Sequence, residues 1–179
     1  MQFYLVRHGQ TQWNQQGILH GQLDSPLTPQ GRAQALALHG QLPALEVDAI
    51  FCSDLRRCYQ FAQLACPNQN LIQSALLRER HFGQLQGQIL SQHPLWQQAY
   101  QQRFTQDQLA ISGSESASAV STRIDLWLNQ VQRLGAERVL LFGHGEWLRI
   151  LQNRLSGEFP WSNRYPLPDN GRLFSLRTD

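Results

Sequence analysis

Apolar and polar residues follow two alternating patterns along this chain. Four short runs are rich in strand formers: Phe3-Tyr4-Leu5-Val6, "DAIFCS" (48–53), "RVLLFG" (138–143) and "RLFSLR" (172–177). Runs of this length and makeup predict strands, and the more continuous ones predict strands buried on both faces. Between them, apolar residues recur every three or four positions. Thr28-Pro29 predicts a cap followed by proline in the first turn of a helix reaching about Leu42. The 54–65 segment places Leu55, Cys58, Ala62 and Ala65 on one helical face, with Ser53 as its expected cap. Further helices are expected from Pro94 to about Phe104, from Ser116 to Leu134, and from about Glu146 to Leu155. The resulting order, β-loop-α-β-α-(insert)-α-β-α-β, predicts a three-layer α/β/α sandwich around a mostly parallel central sheet. No internal repeat or linker interrupts it, so one domain is expected over 1–179, with about 88–113 as a small insert or lid.

Two of these strands end alike. Arg7-His8-Gly9 follows the first and His144-Gly145 the third. Open α/β sheets bind ligands in the crevice outside the carboxyl ends of their strands, so Arg7, His8 and His144 are expected to meet there. Glycine at each strand end allows close backbone approach to a ligand. A single histidine in such a place is more often a hydrogen-bonded core residue, but two on separate strands favour a site. The six histidines show no HxH, HExxH or paired-carboxylate spacing, which argues against a metal centre.

Composition trims the alternatives. With 179 residues and 41% hydrophobic content the chain can bury a real core. No apolar stretch approaches the roughly 20 residues of a membrane span, and the first strand begins almost at Met1, so a soluble, cytoplasmic protein is expected. Its three cysteines, 52, 58 and 66, are odd in number and lack CxxC spacing, consistent with reduced, buried thiols. A net charge of +2 without a dense basic run gives no case for nucleic acid. All fifteen basic residues are arginine. Without lysine there is neither a P-loop lysine nor a Schiff base, so anion binding must rest on guanidinium groups and backbone amides.

The motifs now resemble a known family, the histidine phosphatase superfamily, also called phosphoglycerate-mutase-like. "RHGQTQWN" (7–14) is similar to its RHGxTxWN opening, and "DSPLTPQGRAQA" (24–35) to DxPLTxxGxxQA. "SDLRRCYQFA" (53–62) resembles SxLxRAxxTA, with Cys58 and Phe61 where alanine and threonine are usual. "LRERHFGQLQG" (77–87) resembles LxExxFGxWEG, "GSES" (113–116) a GGES turn, and "GHGEWLRIL" (143–151) the SHGGxIRxL segment. The resemblance implies a cofactor-free hydrolysis in which His8 attacks phosphorus, forms a phosphohistidine and is released by water. It implies a clamp of Arg7, Arg57 and His144, with Asn14 as an extra donor and Gly145 beside it, and Glu79 as the proton donor. Periodicity alone leaves Arg56 and Arg57 equivalent; the motif points to Arg57.

Departures from the motif guide the choice within the family. Ile18 and Phe82 stand where mutases tend to carry arginine and tyrosine, and the insert's only basic residue is Arg103. The expectation is therefore a phosphatase acting on a small phosphorylated metabolite, as a monomer or homodimer. Alternatives are an α-ribazole phosphatase, a 2,3-bisphosphoglycerate-dependent mutase, a phosphohistidine protein phosphatase and a silent phosphate-binding module. Trp96, Tyr100 and Phe104 recur at helical spacing, which fits core packing better than a pocket wall. Glu146 stands where a small residue is common: either it turns away to an arginine such as Arg149, or it reads a hydroxyl or amine of the substrate. His20 is a second candidate for the pocket mouth, against the reading of an exposed loop histidine.

Overall fold

The computed structural model describes residues 1–178, apart from the side chain of Pro43. Five strands form one sheet: β1 (Gln2–Arg7), β2 (Ala49–Ser53), β3 (Leu71–Ser74), β4 (Arg138–Gly143) and β5 (Leu173–Arg177). Their order is β3-β2-β4-β1-β5, with every neighbour parallel except the β1–β5 pair. The principal helices are α1 (Gln12–Gln16), α2 (Pro29–His39), α3 (Arg56–Ala65), α4 (Pro94–Gln101), α5 (Ala117–Leu134) and α6 (Gly145–Leu155).

Strand alternation explains the three layers. Phe3, Leu5, Phe51, Val139 and Leu141 face α5 and α6, where Trp127, Ile124, Trp147 and Leu148 complete one core. Val6, Ile50, Cys52, Leu140 and Phe142 face the other way, onto Leu38, Cys58, Phe61 and Ala62 of α2 and α3. Both pleat faces of β4 are thus buried, which is why its sequence reads as a continuous apolar run. Each large side chain removed from water in these cores contributes roughly 1.5–3 kcal/mol. The three cysteines are free and buried, and burial pushes the Cys52 thiol up to about 12.

Most element boundaries follow the sequence pattern, with instructive exceptions. Thr28 caps α2 by accepting from the Gly31 amide at 3.0 Å, but the helix stops at His39, and a separate 3₁₀ turn covers Leu42–Ala44. Ser53 does not cap α3. Asp24, from a distant loop, accepts instead from the Arg56 and Arg57 amides at 2.9 and 3.2 Å, so a tertiary carboxylate replaces the local hydroxyl. The short strand β3 and helix α1 carry too few apolar residues to have shown a period. The 94–104 segment splits into α4 and a 3₁₀ turn. Trp96, Ala99 and Tyr100 pack against a third core of Phe82, Leu85, Leu109 and Ile111.

Candidate active site

Register places the site. β1 and β4 are parallel neighbours with Arg7 opposite Gly143, so His8 and His144 follow as the next residues of adjacent strands. The His8 amide donates to the Gly143 carbonyl at 3.0 Å, and the two ring centroids lie 5.2 Å apart. The two strand-end motifs do meet. Around them lies a cavity of about 230 Å³. Its polar side is formed by Arg7, His8, Asn14, His20, Arg57, Glu79 and Glu146, and its apolar side by Ile18, Leu19, Phe82, Leu90, Tyr100 and Leu167. Gly145 also lines it, whereas His144 is fully buried one residue earlier.

Hydrogen bonds assign the histidine tautomers. His8 Nδ1 lies 2.8 Å from the Gly9 carbonyl, which can only accept, so Nδ1 carries the proton and Nε2 carries the lone pair. Arg57 Nε donates toward that Nε2 at 3.3 Å. At His144 the order is reversed. Arg57 Nη2 donates to Nδ1 at 3.2 Å, so the proton sits on Nε2, which is buried and has no hydrogen-bond partner among the described residues. Burial, then Arg57, push the pKa of both histidines well below the ordinary value. One arginine therefore holds two neutral rings in opposite tautomers.

Arg57 is itself fully committed. It is 1% exposed and donates to the carbonyls of Leu23 and Gly21 at 2.7 and 2.8 Å and to Asp24 at 2.9 Å. Arg56, by contrast, is exposed, so helical phase decides between the pair as the motif suggested. Asp24 both caps α3 and orients Arg57; sequence reasoning assigned it no role, because its partners lie 32 and 33 residues away. The loop before β5 was missed for the same reason. Pro168 accepts from Arg7 Nη1 at 2.8 Å, and Asn170 donates to the His8 carbonyl at 2.8 Å. Only the turn residues of "PLPDNG" (166–171) mark that segment in the sequence. Arg7 Nε is buried and has no hydrogen-bond partner among the described residues.

The remaining candidates fall into place by their surroundings. Asn14 completes a capping box on α1, its Oδ1 accepting from the Thr11 amide at 3.0 Å, which leaves its NH₂ as the available donor in the cavity wall. His20 is not an exposed loop residue: it is buried, shares a 2.8 Å hydrogen bond with Thr11 Oγ1, and burial lowers its pKa to about 3. Glu79 accepts from the amides of Arg80, Glu146 and Trp147 at 2.9, 3.1 and 3.0 Å, seating its carboxyl on the start of α6. Burial, followed by the nearby Glu146 carboxylate, nevertheless raises its pKa. Glu146 lines the cavity and its carboxylate binds Arg149, which donates through Nε at 2.9 Å and Nη2 at 3.0 Å. Tyr100 serves both as core and as cavity wall. Among the described residues no three histidine, cysteine, aspartate or glutamate side chains are grouped to hold a metal, and no helix is long and apolar enough to cross a membrane.

This geometry can hold a tetrahedral oxyanion between guanidinium and imidazole N–H groups, against one nitrogen lone pair. Known proteins share the framework. A probable phosphatase of Schizosaccharomyces pombe is 41% identical over 91 residues, 49% of this chain and 43% of that protein. A probable phosphoglycerate mutase, GpmB, of Salmonella choleraesuis is 33% identical over 171 residues, 92% of this chain and 79% of the relative. The α-ribazole phosphatase of Shigella flexneri superposes with a TM-score of 0.84 at 27% identity, covering 99% of this chain and 90% of that one. The model of the histidine phosphatase superfamily, branch 1, matches residues 3–179, and the chain belongs to that superfamily.

Proposed function

We propose that the protein is a phosphomonoester hydrolase that works through a phosphohistidine on His8. The observation that carries this reading is the pair of opposed tautomers: a lone pair on His8 Nε2 and a proton on His144 Nε2, in rings whose centroids lie 5.2 Å apart. A nucleophilic imidazole must be neutral with one nitrogen unprotonated: the Gly9 carbonyl holds the proton on Nδ1, and Nε2 attacks as its 3.3 Å hydrogen bond from Arg57 Nε gives way. Phosphoryl oxygens would take the unpartnered donors at Arg7 Nε and His144 Nε2 together with the Asn14 amide. As His8 Nε2 bonds to phosphorus, the ester P–O bond breaks and the leaving oxygen takes the proton of Glu79. Water then attacks the phosphohistidine, returns a proton to Glu79 and frees phosphate. The raised pKa of Glu79 suits both steps.

The cavity supports a small substrate with an uncharged leaving group. At about 230 Å³ it lies below the roughly 300–1,000 Å³ of drug-sized sites. Among the described residues its cationic lining is Arg7 and Arg57, while Ile18 and Phe82 belong to its apolar lining. A mutase needs a second anion clamp there, so hydrolysis is the better reading.

The test is hydrolysis of p-nitrophenyl phosphate in EDTA by wild type and His8→Ala, with acid-labile phosphoenzyme trapped from radiolabelled substrate. Turnover and labelling that survive the chelator and vanish in His8→Ala are expected. Activity that persists without His8, or needs a metal, overturns the reading.

A further inference from the structure

Behind Glu79 lies a buried ionic cluster that the hydrolysis scheme leaves unused. Glu146 is 2% exposed, and three guanidinium groups converge on it. Arg149 makes two hydrogen bonds to it, Arg103 Nε lies 3.5 Å from Oε1, and Arg80 Nη1 lies 3.9 Å from Oε2. Arg80 and Arg149 are fully buried and Arg103 is 5% exposed. Burying four charges is costly unless their geometry repays it, and apolar side chains would fill such a space at lower expense.

The cluster joins three parts of the site. Arg80 follows Glu79 in the chain, and Glu146 donates its own amide to Glu79 Oε2 at 3.1 Å. Arg103 belongs to the 94–104 segment, where its guanidinium lies 3.7 Å from the centre of the Tyr100 ring and 3.9 Å from that of Phe104. Tyr100 in turn lines the cavity. Arg149 binds the carbonyls of Ser162 and Arg103, the latter at 3.3 Å.

We propose that Glu146 is a positioning residue acting through Glu79. Hydrogen-bonded by Arg149 and flanked by Arg103 and Arg80, it holds a carboxylate behind the acid that favours the donating form of Glu79, and it anchors the segment that carries the Tyr100 wall. This rests on the reading of Glu79 as proton donor. The groups facing Glu79 are Glu146 on α6, Arg7 at the end of β1 and the Tyr100 hydroxyl on α4. A second carboxylate favours the neutral form of the first, whereas Arg7 and the three amide donors favour its charged form. Removing the Glu146 charge also leaves three cations uncompensated, which pulls Glu79 further toward ionisation. Both effects lower its proton affinity.

The experiment compares kcat against pH for an alkyl phosphate in wild type, Glu146→Gln, Glu79→Gln and the double variant. Glu79 must be protonated to donate, so the rate falls on the alkaline side. Glu146→Gln is expected to move that limb down by about one pH unit, a ten-fold loss above it, with KM changed less than about two-fold. The loss on p-nitrophenyl phosphate, whose phenolate leaves without a proton, is expected to be smaller. In the Glu79→Gln background, adding Glu146→Gln is expected to change kcat by less than about two-fold, because the two act as one unit. An unmoved limb, equal losses on both substrates, or additive losses in the double variant overturn the proposal. Failure of the hydrolysis reading is recognised separately, by activity that survives His8→Ala, and removes this proposal with it. If Glu146→Gln does not fold, Arg103→Gln, which removes one cation and leaves Glu146 in place, is expected to move the same limb up, and an unmoved limb in that variant overturns the proposal.

Discussion

Acidification from pH 7.5 to 5.5 is expected to destabilise this protein through three histidines. His8, His20 and His144 are held neutral by burial first and by Arg57 next. In the unfolded chain a histidine titrates near 6.5, so over this window the unfolded state gains a proton on each while the native state does not. Stability therefore falls as pH falls. For a native pKa below the window, as for His20 at about 3, the loss is ~1.4 kcal/mol per histidine, and about 4 kcal/mol for three. That is a large share of the roughly 5–15 kcal/mol that keeps a domain folded. Glu79 acts in the opposite sense: its raised pKa lets the native state keep a proton the unfolded chain has released, so its burial costs less as pH drops. Glu79→Gln removes that offset. Urea unfolding of this variant at several pH values isolates the histidines, and with m near 2 kcal/mol/M the midpoint is expected to drop by about 2 M. A flat midpoint, or one that rises toward acid, refutes the reasoning.

Three further outcomes follow from particular contacts. Arg57→Gln removes charge-assisted bonds to Leu23, Gly21 and Asp24, each worth roughly 1.5–3 kcal/mol, and is expected to cut kcat about 100-fold or more with a lowered Tm, by steady-state kinetics and calorimetry. Asp24→Asn, which weakens both the cap of α3 and the hold on Arg57, is expected to cost about 1 kcal/mol in urea unfolding and to lower kcat more than it raises KM. Gly31→Ala would place a methyl group 2.1 Å from the Gln10 carbonyl, forcing α2 away from the turn after His8. A loss of about 1–3 kcal/mol is expected, and an unchanged Tm would show that this backbone approach is not needed.

The sequence by itself determined the layers and the identity of the strand-end histidines. Continuous apolar runs at β1, β2 and β4 fit only strands covered on both faces, and helical spacing on α3, α5 and α6 supplied the covers. The strand-end pattern placed His8 and His144 in one crevice, while the parallel pairing of β1 with β4 that sets them side by side was decided by the tertiary structure. The motif resolved Arg57 from Arg56, and helix phase agrees. What only the tertiary structure decided were partnerships across long sequence distances. Asp24 rather than Ser53 caps α3, the loop at 166–171 supports Arg7 and His8, and His20 is buried rather than exposed. Glu146 had two courses open in the sequence; its hydrogen-bonded partner is Arg149, three residues on and already named there, whereas the approach of Arg80 and Arg103 from distant segments is tertiary. Local periodicity records which face of an element is apolar, because burial selects residues one element at a time. It carries no record of which distant charge or carbonyl satisfies a buried polar group, because that pairing exists only once the chain has folded.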